Sequence, residues 1–124
     1  MNNEQIAAAL FAAFASGDMD TVRSLCAPTF KARQNLNNEF DLETLIQFSQ
    51  AVTAVVPDFR YEDAIRSNTG NGFVEEHAIK GTLADGSELH LMACVVADVE
   101  DGKIVQLREY VDTAAATGLL AALS

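Results

Sequence analysis

The stretch 73–111, FVEEHAIKGTLADGSELHLMACVVADVEDGKIVQLREYV, decides the fold. It holds two Asp-Gly pairs, Asp85-Gly86 and Asp101-Gly102, each between runs rich in apolar and β-branched residues. Such pairs are strong hairpin signals because both turn residues tolerate positive φ. Three successive antiparallel strands follow: Phe73–Leu83, Ser87–Val99 and Lys103–Val111. Ahead of them, Phe59, Tyr61, Asp63 and Ile65 alternate with Arg60, Glu62, Ala64 and Arg66, which reads as another strand. Ser67 to Gly72 is the turn cluster between them.

Two-residue loops at both Asp-Gly pairs fix a register. Ala84 then faces Ser87 and His77 faces Cys94; Glu100 faces Lys103 and Cys94 faces Glu109. His77, Cys94 and Glu109 form one row on one face, with opposed Cβ atoms roughly 4.5–5.5 Å apart. Glu75, Val96 and Leu107 flank that row on one side, and Ile79, Met92 and Val111 on the other. The opposite face of the middle strand carries Leu89, Leu91, Ala93, Val95, Ala97 and Val99. One face should meet the helices, and the other needs a second chain to cover it. We expect the His77–Cys94–Glu109 face to line a cavity and the Leu89–Val99 face to form a homodimer. A one-residue bulge would exchange these faces.

Upstream the chain is helical. Ile6, Leu10, Ala13 and Phe14 recur at helical spacing over Asn3–Ser16, and Gly17 can end that helix in the left-handed conformation. Asp18 can cap a short second helix with Met19, Val22, Leu25 and Cys26 on its apolar face, ended with the help of Pro28. Phe30 to Leu36 reads as a short strand. Asp41 caps a third helix that Pro57 halts, with Leu42, Leu45, Ile46, Val52, Val55 and Val56 as its stripe. Asp112 caps a last short helix through Leu119, Leu120 and Leu123. Helices on one side of a curved antiparallel sheet make an α+β domain, expected to occupy all of 1–124. A cavity can form between the concave face and the helices.

Composition narrows the function. The chain has 124 residues, 49% of them hydrophobic, with 18 acids against 8 Lys and Arg and a net charge of −10. A phosphate backbone needs clustered cations, so nucleic acid is excluded as a partner, and an anionic membrane surface likewise. Two cysteines make no disulfide framework, and the first residues lack the basic region of a signal peptide; a reduced cytoplasmic protein is expected. No Gly-rich phosphate loop, zinc-type cysteine spacing or cofactor motif occurs, so neither cofactor nor metal is expected.

The run Leu10-Phe11-Ala12-Ala13-Phe14-Ala15-Ser16-Gly17-Asp18 resembles the helix end of nuclear transport factor 2-like domains, the superfamily of ketosteroid isomerases and SnoaL-like polyketide cyclases. The tail Asp101-Gly102-Lys103-Ile104-Val105 through Arg108-Glu109-Tyr110-Val111-Asp112 resembles the same families, as does the order of elements. The resemblance implies a cone-shaped cystatin-like fold, with the curved sheet wrapped around the N-terminal helices. Where ketosteroid isomerases carry an oxyanion-binding tyrosine, a carboxylate base and a protonated acid, this chain has Leu10, Gln34 and Cys94. The arginine and two aspartates of limonene epoxide hydrolases fall on His77, Ile79 and Glu109. Only Glu109 keeps a carboxylate, which matches the single acid/base group that SnoaL-like cyclases need.

Glu109 is therefore the candidate catalytic base. A carboxylate in an apolar cavity has its charged form disfavoured, which suits proton transfer; the alternative is an edge glutamate paired with Lys103 or Arg108. His77 is the candidate assistant, or else a hydrogen-bonded core histidine. Cys94, Glu75, Met92, Ile79, Leu107, Val111, Phe14 and Gln34 are expected around a small apolar ligand. The expected chemistry is cofactor-independent isomerisation or cyclisation; the alternative is a non-catalytic binding or dimerisation module.

Overall fold

The computed structural model describes residues 1–124. Its elements run α1 (Asn3–Ser16), α2 (Met19–Leu25), β1 (Cys26–Gln34), α3 (Leu42–Val55), β2 (Arg60–Asn68), β3 (Gly72–Thr82), β4 (Glu88–Glu100), β5 (Lys103–Val111) and α4 (Thr117–Leu123). The helix starts are chemically specified. Asn2 and Gln5 form a reciprocal capping box, Asp18 caps α2 through Thr21, and Asp41 caps α3 through Thr44. Gly17 ends α1 at φ 77°.

β1 ends at Gln34 rather than Leu36, and two starts differ from expectation by more than one residue. β1 starts at Cys26 rather than Phe30, because Pro28 lies in an edge strand, where its missing N–H costs no ladder bond. α4 starts after Ala116, which makes no side-chain cap; Asp112 instead accepts from the Ala114 N–H in the preceding turn.

The sheet order is β1-β5-β4-β3-β2. The three ladders from β2 to β5 are antiparallel, whereas β1 joins β5 in parallel and makes the sheet mixed. Asn35 locks that edge, its side-chain amide donating to the Val111 carbonyl and its oxygen accepting from the Val111 N–H.

The register departs from the turn arithmetic at two places. At Asp85-Gly86 the Leu83 N–H donates to the Ser87 carbonyl, which encloses three residues instead of two. Gly86 is left-handed at φ 85°, as the third residue of such a loop requires. His77 therefore faces Ala93, and Cys94 faces Glu76. At Asp101-Gly102 the two-residue turn forms as expected, with Glu100 opposite Lys103. The ladder then slips by one, from Val99↔Ile104 to Asp98↔Gln106, at a bulge that takes in Val105. Beyond it Cys94 faces Tyr110 and Val95 faces Glu109.

Each slip is one residue, so β3 and β5 keep their inward residues while β4 between them turns over. Leu89, Leu91, Ala93, Val95 and Ala97 are buried inside. Met92 is 52% exposed on the outer face, beside half-buried Cys94 and Val96. The row predicted as His77–Cys94–Glu109 is thus replaced by two rows, His77–Ala93–Val111 and Glu75–Val95–Glu109.

A third irregularity lies in β2. Asp63 has φ 57°, and the ladder shifts between Glu62 and Ile65. Ile65 therefore leaves the face of Tyr61 and is exposed, and Arg66 pairs opposite Glu75.

The core is in two parts. One gathers α1, α2 and the β5–β3 centre around Leu10, Val22, Phe30, Phe73 and Ile104. The other joins α3 and α4 to the sheet through Val52, Val56, Leu89, Leu91 and Leu119. The space between them is the cavity described next.

The corrected faces predict thiol chemistry. Burial pushes the Cys26 thiol up to about 12, Lys103 opposing it weakly, so the reactive thiolate is scarce there. At dilutions where the protein is monomeric, Ellman's reagent should label Cys94 while sparing Cys26, and unfolding should release the second thiol. Labelling of Cys26 ahead of Cys94, read by peptide mass spectrometry, would contradict this placement.

Candidate functional site

A cavity of about 280 Å³ opens between the concave sheet face and helices α1, α3 and α4. Its wall has 24 residues, 17 of them hydrophobic. The third helix contributes Leu45, Phe48 and Val52, the first Phe11 and Phe14, and α4 Leu119 and Leu120. The sheet contributes Tyr61, Ile79, Leu91, Val95, Leu107, Glu109 and Val111. Such apolar hollows with a few placed polar groups are the usual form of a small-molecule site.

Glu109 is the one acidic side chain in this wall. It is half-buried, and Gln34 across the parallel ladder donates to its Oε1 at 2.7 Å. That bond fixes the carboxylate and leaves Oε2 for a ligand. Ala32, Arg33 and Gln34 of β1 all line the cavity; one guanidinium N–H of Arg33 goes to the outer-face Tyr110 hydroxyl at 3.4 Å, while its Nε is buried without a partner. Arg108 is held on that outer side by a two-pronged pair with Asp98, at 2.9 and 3.2 Å, so neither it nor Lys103 neutralises Glu109.

His77 and Glu75 are fully buried. Glu75 accepts from the Arg66 Nε–H on Oε1 and pairs with His77 Nδ1 through Oε2, both at 2.6 Å. A carboxylate already paired with a guanidinium is an acceptor, so the Nδ1–H donates to it. His77 Nε2 has no partner. A buried ring nitrogen left unpaired costs about 1–3 kcal/mol. The imidazole ring lies under Phe11 (centroids 4.8 Å, 76°) and Tyr61 (4.5 Å, 47°), both of which line the cavity.

Tyr61 packs edge-on against Phe11 and Phe59 as well. Burial, with Glu109 and Glu75 nearby, raises its hydroxyl well above the usual phenol range, so Tyr61 stays a neutral donor.

The residues expected around a ligand are therefore divided. Glu109, Gln34, Phe14, Ile79, Leu107 and Val111 line the cavity. Glu75 and His77 lie beneath its floor. Cys94 and Met92 do not reach it; the Ala84–Gly86 loop and the Val105 bulge put them on the outer face. Cys94 is thereby separated from His77, and no three His, Cys, Asp or Glu side chains converge as metal ligands. Arg66 escaped the sequence reading because only the Asp63 bulge turns it inward. The one sequence hint is that aspartate tolerates positive φ better than most residues.

The arrangement has close relatives in shape. A candidate hydroxylase, AclR, from Streptomyces galilaeus superposes with a TM-score of 0.81 at 14% identity, covering 98% of this chain and 94% of that one. A candidate polyketide cyclase from Pseudomonas putida gives 0.81 at 19% identity, covering 93% and 95%. IdmH, a candidate polyketide cyclase from Streptomyces antibioticus, gives 0.79 at 23% identity, covering 99% of each chain. At these identities the likeness establishes the fold. No curated protein sequence matches this chain significantly. The SnoaL-like domain family model matches residues 7–107, a span from α1 into β5 that ends two residues before Glu109. On that match, and on a curved sheet enclosing an apolar hollow, the chain belongs to the SnoaL-like domain family.

Proposed function

We propose that this protein binds a small apolar molecule in the cavity and catalyses cofactor-independent isomerisation or cyclisation, with Glu109 as the base. The carrying observation is a single acidic side chain in a mainly apolar wall, with one oxygen held by Gln34 and the other without a side-chain partner. A carboxylate so placed takes a proton from carbon next to a carbonyl, and a positioned base of this kind contributes roughly 10²–10⁴-fold. The neutral Tyr61 hydroxyl is available to the developing oxyanion.

Proton exchange tests this without a known substrate. In D₂O the protein should speed deuterium uptake at the acidic carbon of 2-tetralone, an enolisable ketone of suitable size. Glu109→Gln should lower that rate about 10²–10⁴-fold while leaving the circular-dichroism spectrum unchanged. Exchange equal in the two proteins would remove Glu109 as the base.

A second reading is a binding module without turnover. It is favoured by the residues at the isomerase positions, Leu10 in the core and Gln34 bonded to Glu109. Binding of 2-tetralone with no exchange above buffer would support it. The expected Leu89–Val99 dimer face is closed off inside the fold; we propose a homodimer instead through the outer sheet face, where Met92, Cys94, Val96 and Tyr110 form the apolar part.

A further inference from the structure

A second polar position lies under the cavity floor, and nothing in the proposed chemistry of Glu109 uses it. His77 is surrounded by cavity wall. Ile79 on its own strand, Leu91 and Val95 diagonally across on β4, and Val111 in its row all line the hollow. Phe11 and Tyr61 roof the ring. Both side chains line the hollow and pack on the ring, and Nε2 is buried without a partner.

The chain Arg66–Glu75–His77 fixes the ring. Arg66 holds Glu75 Oε1, and Glu75 Oε2 holds the Nδ1–H, so in the neutral ring Nε2 carries a lone pair directed away from the carboxylate. The site beneath the floor is an acceptor. Glu109 Oε2 is another; Arg33, also in the wall, gives one guanidinium N–H to the Tyr110 hydroxyl. A ligand matched to these groups is neutral, apolar in body and carries a hydroxyl.

We propose that His77 Nε2 is a hydroxyl-binding subsite of the cavity, reached when Phe11 and Tyr61 part, with Glu75 as the positioning residue that fixes its tautomer. This rests on the cavity being the ligand site, as proposed above, but not on Glu109 being a base. An anionic ligand is disfavoured at Nε2, whose ring is bonded to the Glu75 carboxylate.

Naphthalene and 2-naphthol differ by one hydroxyl and serve as probes. Calorimetry should show 2-naphthol binding about five- to tenfold tighter, the size of one net hydrogen bond. In ¹⁵N-labelled protein the Nε2 resonance of His77 should report an unprotonated nitrogen before binding, and should shift with 2-naphthol but not with naphthalene. The gain should persist in Glu109→Gln and vanish in Glu75→Gln, where the ring is free to change tautomer.

Equal affinities would overturn the subsite while leaving the cavity as a binding site. So would a gain that disappears in Glu109→Gln with the Nε2 resonance unmoved, because the hydroxyl would then lie on Glu109. Failure of both probes to bind would overturn the subsite and the cavity together; 2-tetralone exchange judges the base separately. Wild-type spectra decide the matter even if the Glu75 variant does not fold.

Discussion

Glu75→Ala is expected to cost about 3–5 kcal/mol of folding stability, because it removes a fully buried carboxylate that serves both Arg66 and His77. Domains of this size have only about 5–15 kcal/mol in total, so the variant should be close to unfolding at room temperature. The physical reason is specific. Glu75 is fully buried between the Arg66 guanidinium and the His77 ring. Its loss leaves a guanidinium without its counter-ion and a second unpaired nitrogen on a ring that already has one. Glu75→Gln keeps the volume and should cost less. Replacing Arg66 and Glu75 together by methionine should cost less than the sum of the single changes, because no orphaned charge remains. Urea titration of the four proteins checks this; additive losses would mean the pair is solvated. Asp98→Ala on the outer face provides the contrast. That pair is partly exposed, Asp98 being held below its usual range mainly by the Arg108 hydrogen bond, and its loss should cost at most about 1 kcal/mol.

Leu91→Glu should destabilise by more than about 4 kcal/mol, whereas Met92→Glu should change monomer stability by no more than about 0.5 kcal/mol. Leu91 is 5% exposed in the cavity wall, so a glutamate there places an unpaired carboxylate among Ile79, Val52 and Leu119. Met92, its neighbour in sequence, stands on the outer face. The two-residue-loop register assigns the reverse outcome, so thermal unfolding of this adjacent pair discriminates the two registers. Met92→Glu also tests the proposed homodimer: sedimentation should show wild-type dimer and variant monomer, and equal sedimentation would place any interface elsewhere.

Local chemistry written in the sequence accounts for most of the architecture. Asp18 and Asp41 each satisfy the free N–H groups that open a helix, and these starts were legible because capping involves residues three apart. The Asp101-Gly102 turn was legible for the same reason: both residues adopt positive φ, at 52° and 75°. The inward positions of Glu109, Leu107, Val111, His77 and Glu75 followed from period-two alternation. What alternation could not supply was the count of residues in each irregularity. The Asp85-Gly86 loop closes over three residues rather than two, Val105 sits at a bulge that carries no residue signature, and the Asp63 bulge is marked only by aspartate's tolerance of positive φ. Each adds one residue, and one residue exchanges the faces of a strand.

The sequence by itself thus determined the α+β class, the SnoaL-like resemblance and Glu109 in an apolar hollow, because capping, alternation and turn preference act within a few residues. Only the tertiary structure decided that Cys94 and Met92 face outward, that Gln34 holds Glu109, and that Arg66, Glu75 and His77 join beneath the floor. Those contacts link β1 to β5 and β2 to β3. Their pairing depends on bulges whose cost is balanced by packing across the whole sheet, which no local stretch of chain encodes.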